Sequence, residues 1–267
     1  MGNNFLNAKN KPHALLLIES KLCDLNNFVK NYMKSIVSSV GSKEWSQKID
    51  DNTYYDIIRV NGYENTIKKD DILNIVNQFS KTSVESLGIK FYIIYGIEFA
   101  TSQAVNSLLK FLEEPPVDTY AILTTRALNL VLPTIKSRCQ TFILKSDLNI
   151  FTETFKSIKL NEQQLKTIKN IYYSYDEAIK DINNNDFYDS YELALSFVKN
   201  FDNLAIIKQL QEKFIKLDYK QIMLILKIIN TLIPTNPNII KILENISVNP
   251  IKILLFNNVW SILRGVK

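Results

Sequence analysis

Short continuous apolar runs alternate with helical patterns through the first half of the chain, and this alternation constrains the fold more than any other feature. His13-Ala14-Leu15-Leu16-Leu17-Ile18 is brief and unbroken, the mark of a strand covered on both faces. Behind it, Leu22, Leu25, Phe28, Val29, Tyr32, Met33, Ile36 and Val37 recur at three and four, which draws one face of a helix. The same change of period repeats. Tyr54 to Val60 reads as a second strand, followed by a helix capped by Asp70 with Ile72, Leu73, Ile75, Val76 and Phe79 inward. Phe91 to Ile94 reads as a third strand. Thr101 or Ser102 then opens a helix burying Ala104, Val105, Leu108, Leu109 and Leu112, stopped by Pro115-Pro116 because proline has no amide to continue the ladder. Ala121 to Thr124 and Thr141 to Leu144 supply the fourth and fifth strands, with a short helical turn after Pro133. Strands spaced by helices predict a parallel sheet with right-handed crossovers and helices on both faces.

From about residue 147 the strand signals stop. Segments 149–159, 161–172 and 175–182 read as short helices, and Asn183-Asn184-Asn185-Asp186 as a polar linker. Beyond it, 187–200, 203–217, 219–232, 238–247 and 250–264 read as amphipathic helices punctuated by Pro234, Pro237 and Pro250, which predicts a bundle. The expected division is 1–146, 147–183 and 187–267.

Composition removes several classes of chemistry. The 267 residues include 6 Gly and 7 Pro, so phosphate-cradling glycine loops have little material. Cys23 and Cys139 are the only cysteines and His13 the only histidine. A disulfide scaffold, a structural zinc site and a His-based triad therefore all lack residues, and no metal or cofactor is expected. His13 is read as the start of a strand. Lys and Arg number 32 against 27 Asp and Glu, a net charge of +5, with no basic cluster that would make a nucleic-acid arm. The polar start and the lack of a long uncharged apolar stretch predict a cytoplasmic protein with no membrane partner.

Three motifs stand in order between residues 90 and 144: Lys90-Phe-Tyr-Ile-Ile-Tyr95, Asn106-Ser-Leu-Leu-Lys-Phe-Leu-Glu-Glu-Pro-Pro116, and Leu132-Pro-Thr-Ile-Lys-Ser-Arg-Cys-Gln140. With Ala121-Ile-Leu-Thr-Thr125 between them, this segment resembles the AAA+ module of bacterial clamp-loader subunits of DNA polymerase III. The resemblance implies an α/β AAA+ domain with a five-stranded parallel sheet, then a small helical domain and a C-terminal helical collar. Asn236-Pro-Asn-Ile-Ile-Lys-Ile-Leu-Glu244 looks like the collar helix of that family. The family's four-cysteine zinc module is missing.

The nucleotide motifs narrow the resemblance. A P-loop needs G-x-x-x-x-G-K-[ST] between the first strand and its helix, because glycine lets backbone amides close around phosphates while Lys neutralises them. Here the stretch is Glu19-Ser20-Lys21-Leu22-Cys23-Asp24-Leu25-Asn26-Asn27. The Asp-Glu pair that would hold Mg²⁺ and polarise water is replaced by Tyr95 and Gly96, and Glu98 is not assigned that task. The chain therefore looks like the delta-prime type of subunit, which mostly does not hydrolyse ATP.

That resemblance implies that Arg138, in Ser137-Arg138-Cys139, is an arginine finger reaching ATP on a neighbouring motor subunit, with Ser137 and Cys139 supporting its loop. Thr124 or Thr125 matches a sensor position and is read as strand packing; Glu113 and Glu114 are read as structural. The implied partners are gamma/tau-like motor subunits and a delta-like subunit, with the sliding clamp met indirectly and primed DNA through the complex. Two other readings remain open: an active AAA+ motor, and an autonomous DNA-binding protein.

Overall fold

The computed structural model describes residues 11–41, 43–146, 148–234, 239, 242–243 and 251–265. It divides into two compact units, Met1–Asp147 and Leu148–Lys267.

The first unit contains five strands: β1 (Ala14–Glu19), β2 (Ile57–Asn61), β3 (Lys90–Tyr95), β4 (Thr119–Thr125) and β5 (Gln140–Leu144). All pair in parallel in the order β2-β3-β4-β1-β5. Between them run α1 (Leu25–Val40), α2 (Lys43–Asp50), α3 (Lys69–Phe79), α4 (Ser102–Glu113) and the single turn α5 (Pro133–Lys136). Successive side chains of a strand point to opposite faces, and the cores separate accordingly. Leu16, Tyr92, Ile94, Ala121 and Leu123 pack with α3 and α4; Leu15, Leu17, Phe91, Ile93 and Ile122 pack with α1 and with Ile49 of α2. The sheet is the middle of three layers, which is why its strands read as unbroken apolar runs.

The expected strands and most helices stand where the periodicity puts them, with three local differences. Helix α2 is two turns long and its apolar face is only Trp45 and Ile49, of which Ile49 alone is fully buried, so the pattern is too short for periodicity to reveal it. Asp70 does not cap α3: the helix starts at Lys69, and Asp71 reaches back to accept the Lys68 amide at 2.7 Å. In α4, Phe111 takes the core position expected of Leu109, which is only partly buried. Thr101 is the N-cap, its hydroxyl accepting the Ala104 amide at 3.2 Å. His13 precedes β1, with its Nε2 3.3 Å from the Leu112 carbonyl.

The second unit is helical: α6 (Leu148–Phe155), α7 (Glu162–Ile171), α8 (Tyr175–Asn183), α9 (Asp186–Lys199), α10 (Leu204–Lys216), α11 (Tyr219–Leu232) and α12 (Lys252–Arg264). The polar break at 183–186 is a tight turn between α8 and α9, made by Asn185 at φ 64, and both helices pack in the same unit. Helix α9 lies along α11. Phe256 of α12 sits against Phe197 of α9, ring centroids 4.7 Å apart, and Phe214 of α10 at 5.4 Å. Asp181, nearly fully buried, accepts from Tyr172 Oη at 3.0 Å and Lys220 Nζ at 2.6 Å. The Asn236–Glu244 segment lies outside the described residues, apart from Ile239, Ile242 and Leu243.

Candidate functional site

The chain leaves β1 for the far edge at β2, steps back through β3 and β4, and then passes over β1 to form β5. The order reverses at β1 and β4, and in open parallel sheets ligands bind beyond the strand C-termini at such a point. Glu19 ends β1 and Thr124 lies next to the end of β4.

Those two side chains meet. Thr124 Oγ1 donates to Glu19 Oε1 at 2.5 Å, and Tyr63 Oη, from the segment after β2, donates to the same oxygen at 2.6 Å. Arg126 Nε donates to Glu19 Oε2 at 3.2 Å, while its guanidinium lies 3.8 Å from the centre of the Tyr63 ring. Glu19 is 5% exposed. Its charge is tolerated there because both oxygens accept from donors, one of them cationic. Burial raises the Tyr63 phenol above its ordinary range, and the adjacent Glu19 charge raises it further, so Tyr63 stays a neutral donor.

Gly96 makes room for this cluster. Its φ is +66, and a Cβ there would stand 2.7 Å from the Tyr63 ring. Its amide donates to Thr124 Oγ1 at 3.3 Å. Glu98 faces the same region, with Oε1 accepting the Arg126 amide at 2.9 Å and Oε2 buried without a partner.

The β1–α1 connection closes the other side. Leu22 adopts φ 48, a left-handed conformation in which glycine is ordinarily at ease, yet it buries its side chain almost completely. Asp24 caps α1 by accepting the Asn27 amide at 3.2 Å, so a carboxylate already occupies the helix N-terminus. Cys23 lies buried between them, its thiol pushed up to about 12 by desolvation and then by the Glu19 charge.

The Ser137-Arg138-Cys139 segment forms a second centre at the end of α5. Arg138 Nη1 donates to the Thr134 carbonyl at 3.0 Å and to Ser137 Oγ at 3.4 Å, Nη2 donates to Glu113, and Nε is buried without a partner. Ser137 Oγ itself donates to the Thr134 carbonyl at 3.0 Å. Cys139 packs in the core with Val131 and Ile135, its thiol pushed up to about 12 by burial. Just before the segment, Leu130 and Leu132 are exposed.

The structure thus brings Ser137 and Arg138 together and seats Cys139 behind them. Thr124, read as strand packing, belongs to the polar cluster; Thr125 Oγ1 accepts the Ala127 amide at 3.1 Å. Glu113, read as structural, is the ion-pair partner of Arg138. Tyr63 and Arg126 carry no motif, and the only sequence signal for the cluster is a carboxylate ending an apolar strand. Among the described residues, no group of three or more His, Cys, Asp or Glu is placed to hold a metal ion, and no helix is long and apolar enough to cross a membrane.

A five-stranded parallel sheet in this order, with helices on both faces and a helical portion after it, is the architecture of AAA+ proteins. It superimposes on a DNA polymerase III gamma subunit-related protein of Thermotoga maritima with a TM-score of 0.62, covering 99% of this chain and 97% of that one at 16% identity, a likeness of fold. Residues 3–148 match the family described as DNA polymerase III, delta subunit, and the chain belongs to that family. An uncharacterised MG007 homolog of Mycoplasma pneumoniae is 29% identical over 185 residues, 67% of this chain and 68% of that protein. The DNA polymerase III subunit delta' of Bacillus subtilis is 51% identical over 76 residues, which span 28% of this chain and 23% of that subunit.

Proposed function

We propose that this chain is a non-hydrolysing, delta-prime-like subunit of a DNA polymerase III clamp loader. It acts as a stator and lends Arg138 in trans to ATP bound by an adjacent gamma/tau-like motor subunit while the sliding clamp is loaded on primed DNA. A delta-like subunit completes the ring, and the helices of 187–267 serve as its collar after a small helical domain at 147–183.

The observation that carries the reading is the buried Glu19 where a triphosphate would have to sit. A triphosphate needs amides and cations at the end of β1. This chain offers Glu19, Asp24 as the occupant of the α1 N-terminus, and a loop without glycine. The nearest cation at the cluster, Arg126, is already paired with Glu19. With two carboxylates and no glycine at the end of β1, the residues present do not fit a triphosphate. Arg138, by contrast, is partly exposed, and the exposed Leu130 and Leu132 a few residues upstream are suited to burial against another subunit. Guanidinium is permanently charged and forks onto phosphate oxygens; supplied in trans it is worth about 10³ to 10⁵ in rate.

The test is direct. The isolated chain is expected to bind no ATP in calorimetry, while R138A, assembled with motor subunits, delta-like subunit and clamp, suppresses ATP turnover without unfolding the chain. ATP hydrolysis by the chain alone would favour an active motor instead.

A further inference from the structure

We propose that Glu113 is a cis latch for Arg138: it holds the finger in a resting pose within its own chain, and ATP on the neighbouring subunit draws the finger out. The inference rests on the trans role of Arg138 and adds a residue and a condition to it.

The guanidinium has five N–H donors. In the resting pose Nη1 commits both of its own, to the Thr134 carbonyl and Ser137 Oγ, and Nη2 commits one to Glu113. The Nε–H is sealed from solvent with no acceptor. A bidentate grip on phosphate needs two free N–H groups along one edge, either Nε with Nη2 or Nη1 with Nη2. Along the first edge the Nε–H is sealed from solvent and Nη2 is held by Glu113, and along the second Nη1 has no N–H left. Arg138 therefore cannot fork onto a phosphate where it rests, and must rotate out first.

Glu113 holds it weakly enough for that. The two side chains are 31% and 47% exposed, and ion pairs so open to water are readily exchanged. Leaving also returns the sealed Nε–H to an acceptor. A triphosphate carries more negative charge than one carboxylate, so the exchange favours the neighbour only when that neighbour holds ATP. Glu113 is moreover the last residue of α4, followed by Glu114, where the helix carbonyls disfavour negative charge. Helix formation gives no reason for a carboxylate there, whereas the cation opposite does.

Two measurements test the latch. In the isolated chain, the ¹⁵Nε–¹H signal of Arg138 is expected to exchange slowly with water, and to exchange fast in E113Q, which keeps the shape and removes the charge. In the assembled loader, E113Q is expected to lower the concentration of this chain giving half-maximal ATPase stimulation about two- to fivefold, with R138A giving no stimulation. Equal exchange in both chains, or an unchanged half-maximal concentration, overturns the latch and leaves the finger standing. E113Q as damaging as R138A also overturns it, since Glu113 would then be needed in the engaged state. Full stimulation by R138A would instead sink the finger itself.

Discussion

Thr124 and Glu19 close the C-terminal ends of two adjacent parallel strands through a 2.5 Å hydrogen bond, although 105 residues separate them. Glu19 accepts from Thr124, Tyr63 and Arg126 together. E19A removes the acceptor that all three share, one donor being charged, and is expected to destabilise the first unit by about 1–3 kcal/mol. E19Q, which keeps one acceptor, is expected to lose less. Urea denaturation of the three chains measures this, and equal midpoints for wild type and E19A would rule out the cluster as a stabilising element.

R138K separates charge from geometry. An ammonium keeps the positive charge but cannot fork. In the reconstituted loader, R138K is expected to recover less than about a tenth of the wild-type turnover. Recovery to near wild type would mean that charge alone suffices.

Gly96 and Gly88 make a matched pair. Both have positive φ, +66 and +79, but a Cβ on Gly96 would meet the Tyr63 ring whereas one on Gly88 meets nothing within 4 Å. G88A is expected to cost about 1 kcal/mol from conformation alone. G96A adds a clash that pushes Tyr63 off Glu19, and is expected to cost about 1–3 kcal/mol more. Thermal denaturation of both variants gives the comparison.

The cysteines predict an alkaline response. Cys23 and Cys139 are pushed up to about 12 in the folded chain by burial, with Glu19 adding to Cys23. An unfolded cysteine ionises near about 8.5. Above that pH the unfolded state releases protons that the folded state retains, so the stability these thiols contribute is whole below about 8.5 and is lost as pH rises towards 12. Wild type is therefore expected to lose stability more steeply between pH 9 and 11 than C23A/C139A. Neither thiol is expected to react with iodoacetamide at pH 8 until the chain unfolds.

Legibility followed locality. Five strands were readable because each is a burst of apolar residues covered on both sides, and α4 because its stripe spans three turns between Thr101 and a double proline. Helix α2 was not, since an apolar face of Trp45 and Ile49 spans a single turn and gives no periodicity to detect. Arg138 and Cys139 stand in a motif the sequence displays, and the fold adds that Cys139 is buried in the core. Glu113 was visible as a residue but not as a partner: 25 positions separate it from Arg138, and only the pairing of β1 with both β4 and β5 brings those segments into one neighbourhood. Tyr63, Thr124 and Arg126 converge on Glu19 from 44, 105 and 107 positions away, distances over which no local pattern operates.

Leu22, finally, ties the β1–α1 connection to the core through a backbone conformation that suits glycine better. Exchanging it for glycine would free the backbone but empty a filled core position, while the acids on either side still turned a phosphate away. Removing Glu19 first would take the shared acceptor from Thr124, Tyr63 and Arg126 at once. Any single replacement in this corner therefore disturbs the packing or the polar cluster before it changes anything else, so Leu22 and Glu19 can be exchanged without loss only together with the residues they touch.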